Sequence, residues 1–241
     1  MAIYLNVITV AGCSIPKPKI GSVRKDIIGP ETFAGIYNCT TDPFWRAFLV
    51  TLYTAGLRLR EATNLTWCDI DFDSYQLHIT RKKAAGLVQA WTPKDYQMRM
   101  IPLPAKTVNL LSAWQSLAPE DCPYVFMGQS RWAYYRRQVE KGRWRAGQDL
   151  LNNILKRFKG LCHRAGSRPY TLHDIRRTCI TNWASQLPIH VVQQLAGHSD
   201  MRTTQQYYLL VQPHDLEKAR AIQTSLLGTV PDSGYRKSKA G

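Results

Sequence analysis

The chain has 241 residues, an ordinary hydrophobic content of 44%, and 32 Lys and Arg against 17 Asp and Glu, for a formal net charge of +15. That length suits one large domain or two small ones with a substantial core, and the composition excludes global disorder. The positive field favours a polyanionic partner, nucleic acid first and an anionic membrane second, while no apolar run approaches the length of a membrane span.

The opening segment, MAIYLNVITVAGCS, has no basic leader region and its apolar run is broken by Asn6, so it reads as a short strand or a disordered lead rather than a processed signal. Residues 1–28 carry PKPK and GSVRKD, a Pro, Gly and Lys mixture typical of a linker, and the folded part is expected to begin near Gly29. Gly29-Pro30-Glu31 opens a short helix. Asp42 and Pro43 make an N-cap and first-turn pair for the next, in which Phe44, Trp45, Phe48, Leu49, Leu52 and Tyr53 recur at helical spacing until Gly56 ends it. Arg58 and Glu61 then fall three apart, on one face of a turn. The acid either holds the guanidinium fork in place with its outer edge free or forms an ordinary surface ion pair.

From Tyr75 the pattern alternates. Tyr75–Ile79, Leu87–Trp91 and Met98–Leu103 are predicted as three short antiparallel strands, and Thr92-Pro93-Lys94-Asp95 puts Lys94 at or near a hairpin tip. Ala105–Leu117 reads as an amphipathic helix. Between Ser130 and Gly147, RWAYYRRQVEKGRWRA interleaves basic residues with aromatics, as a phosphate-tracking surface or as a solvated basic loop. Asp149–Ala165 is predicted helical, with Leu151, Ile154, Leu155, Phe158 and Cys162 inward and Lys156, Arg157, Lys159 and Arg164 outward.

Thr171 is a natural N-cap, which sets His173 and Arg176 on one face of the first turns of a helix, where the dipole attracts phosphate. Pro188 opens a helix over Ile189–Ala196 and Gly197 caps it, so His198 emerges at a tight reversal, facing a cleft or packed structurally. Tyr207 and Tyr208 follow Thr203-Thr204 on a short helical segment. A phenol, with an unperturbed pKa of about 10, needs a neighbouring base or cations to attack at neutral pH. Two arginines would bind the non-bridging oxygens of a phosphate and stabilise its pentacoordinate transition state. A lysine or histidine would protonate the departing oxygen. The absence of an acidic cluster for magnesium argues against a two-metal nuclease.

In this order, AGLRLREATNLTWCDID, TPKDYQMRMIPLP, HDIRRT and QQLAGHSDMRTTQQYY resemble the catalytic domain of the tyrosine recombinases, also called phage integrases, over roughly Gly29 to Leu226. The resemblance implies an α+β, mainly α fold of the DNA breaking-rejoining type with a small three-stranded antiparallel sheet. It makes Arg58 and Arg176 the catalytic arginines, Glu61 the acid that buttresses Arg58, and Lys94 the general acid toward the 5′ oxygen. His173 belongs to the HxxR box, His198 hydrogen-bonds the phosphate, and Tyr207 is the nucleophile. The implied reaction is a pair of transesterifications on double-stranded DNA through a 3′-phosphotyrosyl link, needing neither metal nor nucleotide. Arg60, Arg99, Arg131, Arg136, Arg137, Arg143, Arg145, Arg177 and Arg202 are expected to contact the DNA.

On this reading residues 29–227 form the catalytic domain. The linker-like 1–28 is too short to supply the helical clamp, or core-binding domain, that family members usually carry, and 228–241 is expected to be a disordered basic tail. Pro213–Leu226 reads as a helix that docks on a neighbouring subunit, giving self-association on DNA, or that packs on its own domain. The alternative to a recombinase is a catalytically silent DNA-binding remnant of an integrase. The six cysteines, at 13, 39, 68, 122, 162 and 179, form no CxxC pair and read as reduced, mostly buried thiols of a cytoplasmic protein with no membrane partner.

Overall fold

The structure, a computed structural model, describes residues 27–94, 97–145 and 147–208. The expectations for the N-terminal linker before Ile27, for the helix over Pro213–Leu226 and for the tail lie outside those residues. Ile28 is already buried, and its N–H donates to Thr178 Oγ1 at 2.8 Å, so the folded part includes the residue before Gly29.

Helix α1 (Pro30–Asn38) starts with proline at its first position, where no N–H is missed. Helix α2 (Pro43–Ala55) is capped as predicted: Asp42 Oδ1 accepts the Phe44 N–H at 2.9 Å, and Gly56 ends the helix in the left-handed region at φ +58°. A Cβ on Gly56 would sit 3.2 Å from Cys179 Sγ and 3.3 Å from the Trp183 ring, so glycine serves both the turn and the close approach of the next layer. Nearly every side of α2 is covered, and it packs against both α4 (Ala105–Gln115) and α7 (Leu172–Ala184). Phe44 and Phe48 meet Phe126 edge to face, with centroids 6.3 and 5.0 Å apart. Burying each such side chain contributes about 1.5–3 kcal/mol, which makes α2 the axis of the core.

After α3 (Leu59–Thr63) and a 3₁₀ turn (Trp67–Asp69), a three-stranded antiparallel sheet runs in the order β1 (Ile70–Asp71), β2 (Gln76–Ile79), β3 (Arg99–Pro102). Leu77 pairs with Ile101 and both face the core, while His78 and Met100 point outward. The sheet has the expected number of strands, but one of them differs from the prediction. Leu87–Trp91 is not a strand, and Ile70–Asp71 takes its place. The backbone of that segment is satisfied elsewhere: the Gln89 N–H donates to Tyr124 Oη at 2.8 Å and Tyr135 Oη donates to the Leu87 carbonyl at 2.6 Å. Only isolated bridges, Lys82 to Trp91 and Ala85 to Val88, remain there.

The basic, aromatic stretch is mostly helix α5 (Gln129–Glu140) rather than loop. Trp132 and Tyr135 turn inward to a second apolar cluster with Tyr124, Met127 and Leu150, and leave Arg136 and Arg137 outside. Helix α6 (Ile154–Arg164) begins five residues later than predicted, because Asn153 adopts the left-handed conformation at φ +53°. Helices α7, α8 (Ile189–Ala196) and α9 (Met201–Tyr208) finish the described chain and pack on one another. Cys122, Cys162 and Cys179 are buried free thiols, Cys39 is half-buried and Cys68 exposed. Among the described residues no helix is long and apolar enough to cross a membrane.

Candidate active site

Local capping delivers the first pair. The left-handed turn at Gly56 and buried Leu57 bring Arg58 to the start of α3, where the Glu61 carboxylate accepts the Arg58 N–H at 2.7 Å and its Nη1 at 2.9 Å. Glu61 is 1% exposed and does not serve Arg58 alone. Arg99, arriving from β3, forms a bidentate pair with it, Nη1 to Oε1 at 2.9 Å and Nη2 to Oε2 at 2.7 Å. Arg176 on α7 lies 4.0 Å from the same carboxylate. Burial works against ionisation of Glu61, but the hydrogen bonds and charge of Arg99, the Arg58 N–H and the charge of Arg176 outweigh it and hold the carboxyl below its ordinary range.

Three guanidiniums around one carboxylate leave positive charge in excess, and the end of α8 answers it. Its terminal carbonyls, which have no partner within the helix, each take a different arginine: Leu195 O accepts Arg99 Nε at 2.8 Å, Ala196 O accepts Arg176 Nη2 at 2.7 Å, and Gly197 O accepts Arg58 Nη2 at 2.6 Å. The Gly56 carbonyl at the end of α2 accepts Arg176 Nη1 as well. Helix C-termini carry partial negative charge, so both ends are suited to hold cations. Gly197 turns the chain at φ +62°, and a Cβ there would sit 2.7 Å from Arg99 Nη1. Glycine is therefore required twice over, by conformation and by space.

His198 follows that turn and is buried. Arg176 Nη2 stands 3.2 Å from its Nε2 and Thr204 Oγ1 stands 3.0 Å from its Nδ1. Burial, then the positive charges of Arg176, Arg58 and Arg99, partly opposed by Glu61, push the imidazole down to about 4, so it is neutral at pH 7. An arginine can only donate; Nε2 is accordingly the acceptor, and Nδ1 carries the proton toward Thr204. The Tyr207 ring stacks on this imidazole, centroids 5.9 Å apart and planes 19° off parallel. Tyr208, by contrast, donates its hydroxyl to the Leu187 carbonyl and packs in the apolar cluster of α7 and α8.

The other expected residues are placed less uniformly. His173, one turn before Arg176, is exposed on α7. Partial burial and then the charges of Arg177 and Arg176 lower its pKa. Lys94 is exposed and its ammonium makes no hydrogen bond or ion pair with a described residue; its carbonyl accepts the Gln97 N–H at 3.3 Å. The structure thus assembles Arg58, Glu61, Arg176, His198 and Tyr207, and leaves Lys94 outside the assembly.

Of the expected DNA contacts, two have other places. The Arg99 side chain is 2% exposed and spent on Glu61 and Leu195. Arg131 donates to the carbonyls of Leu150 at 2.6 Å and Asp149 at 2.8 Å and lies over the Tyr134 and Trp144 rings, acting as a strut for the loop after α5. Arg177 is held by Asp174 at 2.9 Å. Arg60, Arg136, Arg137, Arg143, Arg145 and Arg202 are exposed. Sequence reasoning missed Thr204 and the α8 carbonyls. Helical spacing from Tyr207 was the one available signal for the former, and main-chain acceptors leave none. Among the described residues no three of His, Cys, Asp and Glu are grouped so as to hold a metal ion.

Residues 37–214 match the phage integrase family. Similar relatives include a XerC-like tyrosine recombinase of Caldanaerobacter subterraneus, 26% identical, covering 74% of this chain and 48% of the relative. Tyrosine recombinase XerA of Thermococcus onnurineus is 29% identical over 74% of this chain and 56% of its own. The chain spans about half the length of these curated relatives. In fold it is similar to the crystal structure of XerA recombinase, with a TM-score of 0.60 at 20% identity over 82% of this chain and 65% of the other. It is also similar to XerH site-specific recombinase bound to palindromic difH substrate, with a TM-score of 0.56 at 19% identity over 92% and 60% of the respective chains.

Proposed function

We propose that this chain, which belongs to the phage integrase family, cuts and rejoins double-stranded DNA at specific sites, with Tyr207 as the nucleophile of a 3′-phosphotyrosyl intermediate. The observation that carries the reading is the convergence of Arg58 and Arg176, from elements far apart in sequence, beside a neutral histidine against which the Tyr207 ring is stacked. Such a cluster needs a reason, because concentrating buried positive charge is unfavourable unless an anion completes it. A scissile phosphate is that anion, and its charge rises at the pentacoordinate transition state.

In this mechanism the Tyr207 oxygen gives up its proton to solvent and attacks phosphorus, and the bond to the 5′ oxygen breaks. Arg58, whose side chain is 23% exposed, presents its free guanidinium edge to a non-bridging oxygen, and Arg176 holds the other. His198 hydrogen-bonds the phosphate through Nε2, and His173 lies on the same helix face as Arg176. Lys94 gives the departing oxygen its proton, which requires its loop to move to the cluster when DNA binds. The new phosphotyrosyl bond keeps the energy of the old one, so a 5′ hydroxyl reverses the step on the same strand or a different one without metal or nucleotide. The exposed arginines of α3, α5, the loop after α5 and α9 supply phosphate contacts that orient the duplex. Self-association on DNA through Pro213–Leu226 is part of this proposal.

The test is a duplex with a nick placed so that cleavage releases a short fragment and traps the covalent complex. With chelator present, the full chain should form a protein–DNA adduct and Tyr207→Phe should form none. Adduct formation by the Phe variant would move the nucleophile elsewhere; DNA binding without any adduct would favour the silent remnant.

A further inference from the structure

The hydroxyl of Thr204 is fully buried and 3.0 Å from His198 Nδ1, on α9 and three residues before Tyr207. Residues three apart on a helix share a face, so the group that holds the imidazole and the ring stacked upon it belong to one rigid turn. We propose that Thr204 is a positioning residue for strand cleavage: its hydroxyl fixes the His198 ring and in the same contact docks α9, so that imidazole and phenol are set relative to each other before DNA arrives. This rests on the reading of His198 and Tyr207 as the groups that meet the phosphate.

The choice of a hydroxyl has a chemical reason. Without DNA, Arg176 donates into Nε2, so Nδ1 carries the ring proton and donates to Thr204. To hydrogen-bond a phosphate oxygen, Nε2 must carry the proton instead. The neutral ring then releases one proton to solvent from Nδ1 and takes one at Nε2, with no net change. A hydroxyl can donate as well as accept, so Thr204 keeps its hold by reversing its own O–H. An obligate donor or an obligate acceptor would hold one tautomer and oppose the other. The charged groups facing the ring are Arg176, Arg58, Arg99 and Glu61, and none of them can follow both states in this way.

Thr204→Val keeps the volume and removes the hydroxyl; Thr204→Ser keeps the hydroxyl. In single-turnover cleavage of the nicked duplex by the full chain, the Val variant is expected to be ~10–100-fold slower, the scale of a small misplacement of reacting groups. DNA affinity should hold, and the Ser variant should recover most of the rate. A wild-type rate for Val, equal losses for Val and Ser, or a loss confined to DNA affinity overturns the proposal. A second readout does not depend on activity: nitrogen NMR of the DNA-free protein should show the His198 ring protonated at Nδ1 in wild type and Ser, and a mixed or shifted state in Val. Identical ring spectra in all three overturn the contact itself. Should wild type form no adduct, the functional reading falls with the cleavage role, while the spectra still decide whether Thr204 holds the ring.

Discussion

Replacing Glu61 by Gln removes one charge and almost no volume, at a position where four hydrogen bonds converge. The carboxylate accepts from the Arg58 N–H and Nη1 and from Arg99 Nη1 and Nη2, two at each oxygen. An amide offers one oxygen and one NH2 group, so whichever way it turns, two arginine or backbone donors face another donor. Breaking a buried ion pair in this way costs about 3–5 kcal/mol. At about 2–4 °C per kcal/mol for a chain of this size, the variant should melt ~6–20 °C below wild type at pH 7. The pH dependence sharpens the test. A carboxyl held below its ordinary range stabilises the fold above that range, and the contribution is lost as pH falls through its folded value. The gap between wild type and variant in urea unfolding should therefore stay level from neutrality to about pH 5 and close below about pH 4. A variant within about 1 kcal/mol of wild type at pH 7, or a gap unchanged in acid, would refute the placing of Glu61 at the centre of the cluster.

Gly197→Ala forces a Cβ into the left-handed region, at about 1–2 kcal/mol, and against the Arg99 guanidinium 2.7 Å away; thermal unfolding should show at least that loss, together with slower adduct formation. Between about pH 6.5 and about 4, the pushed-down pKa of His198 means that the unfolded chain binds the proton and the folded chain does not. Stability should therefore fall as pH drops through that window, and His198→Gln should flatten the slope by up to about 1.4 kcal/mol per pH unit. Tyr208→Phe removes a bond to the Leu187 carbonyl and should lower stability by about 1 kcal/mol in denaturant melts, with adduct formation retained. Lys94→Ala should leave the melting temperature unchanged, because the side chain has no described partner, and should slow cleavage of an ordinary duplex; a bridging sulfur at the leaving position, which needs no acid, should restore the rate.

What could be read from the sequence was set by how far each feature reaches along the chain. The ends of α2, α7 and α8 were legible because Asp42-Pro43, Thr171 and Gly197 act on their own turns. Most residues of the candidate site could be named for a different reason, since the ordered motifs carry them. Arg99 was not: alternation in β3 marks which residues face inward, but a buried arginine makes sense only once Glu61, 38 positions earlier, is known to face it. Leu87–Trp91 looked like a strand because its side chains alternate, whereas its backbone bonds are divided between the hydroxyls of Tyr124 and Tyr135 and isolated bridges to Lys82 and Ala85. In α5 the helical pair Trp132 and Tyr135 was hidden under the basic residues around it.

Three consecutive carbonyls at the end of α8 receive arginines from three different elements, and this has a consequence for how the site can vary. A helix advances by 100° per residue, so inserting or deleting one residue before Leu195 would rotate every acceptor away from its donor at once. No arginine could be retuned while the others stayed in register. The cluster behaves as a combination lock with one dial, open at a single setting. Variation that preserves this cluster should therefore accumulate in the loop before Pro188 and in the outward face of α8, never in the count of residues between Val192 and His198.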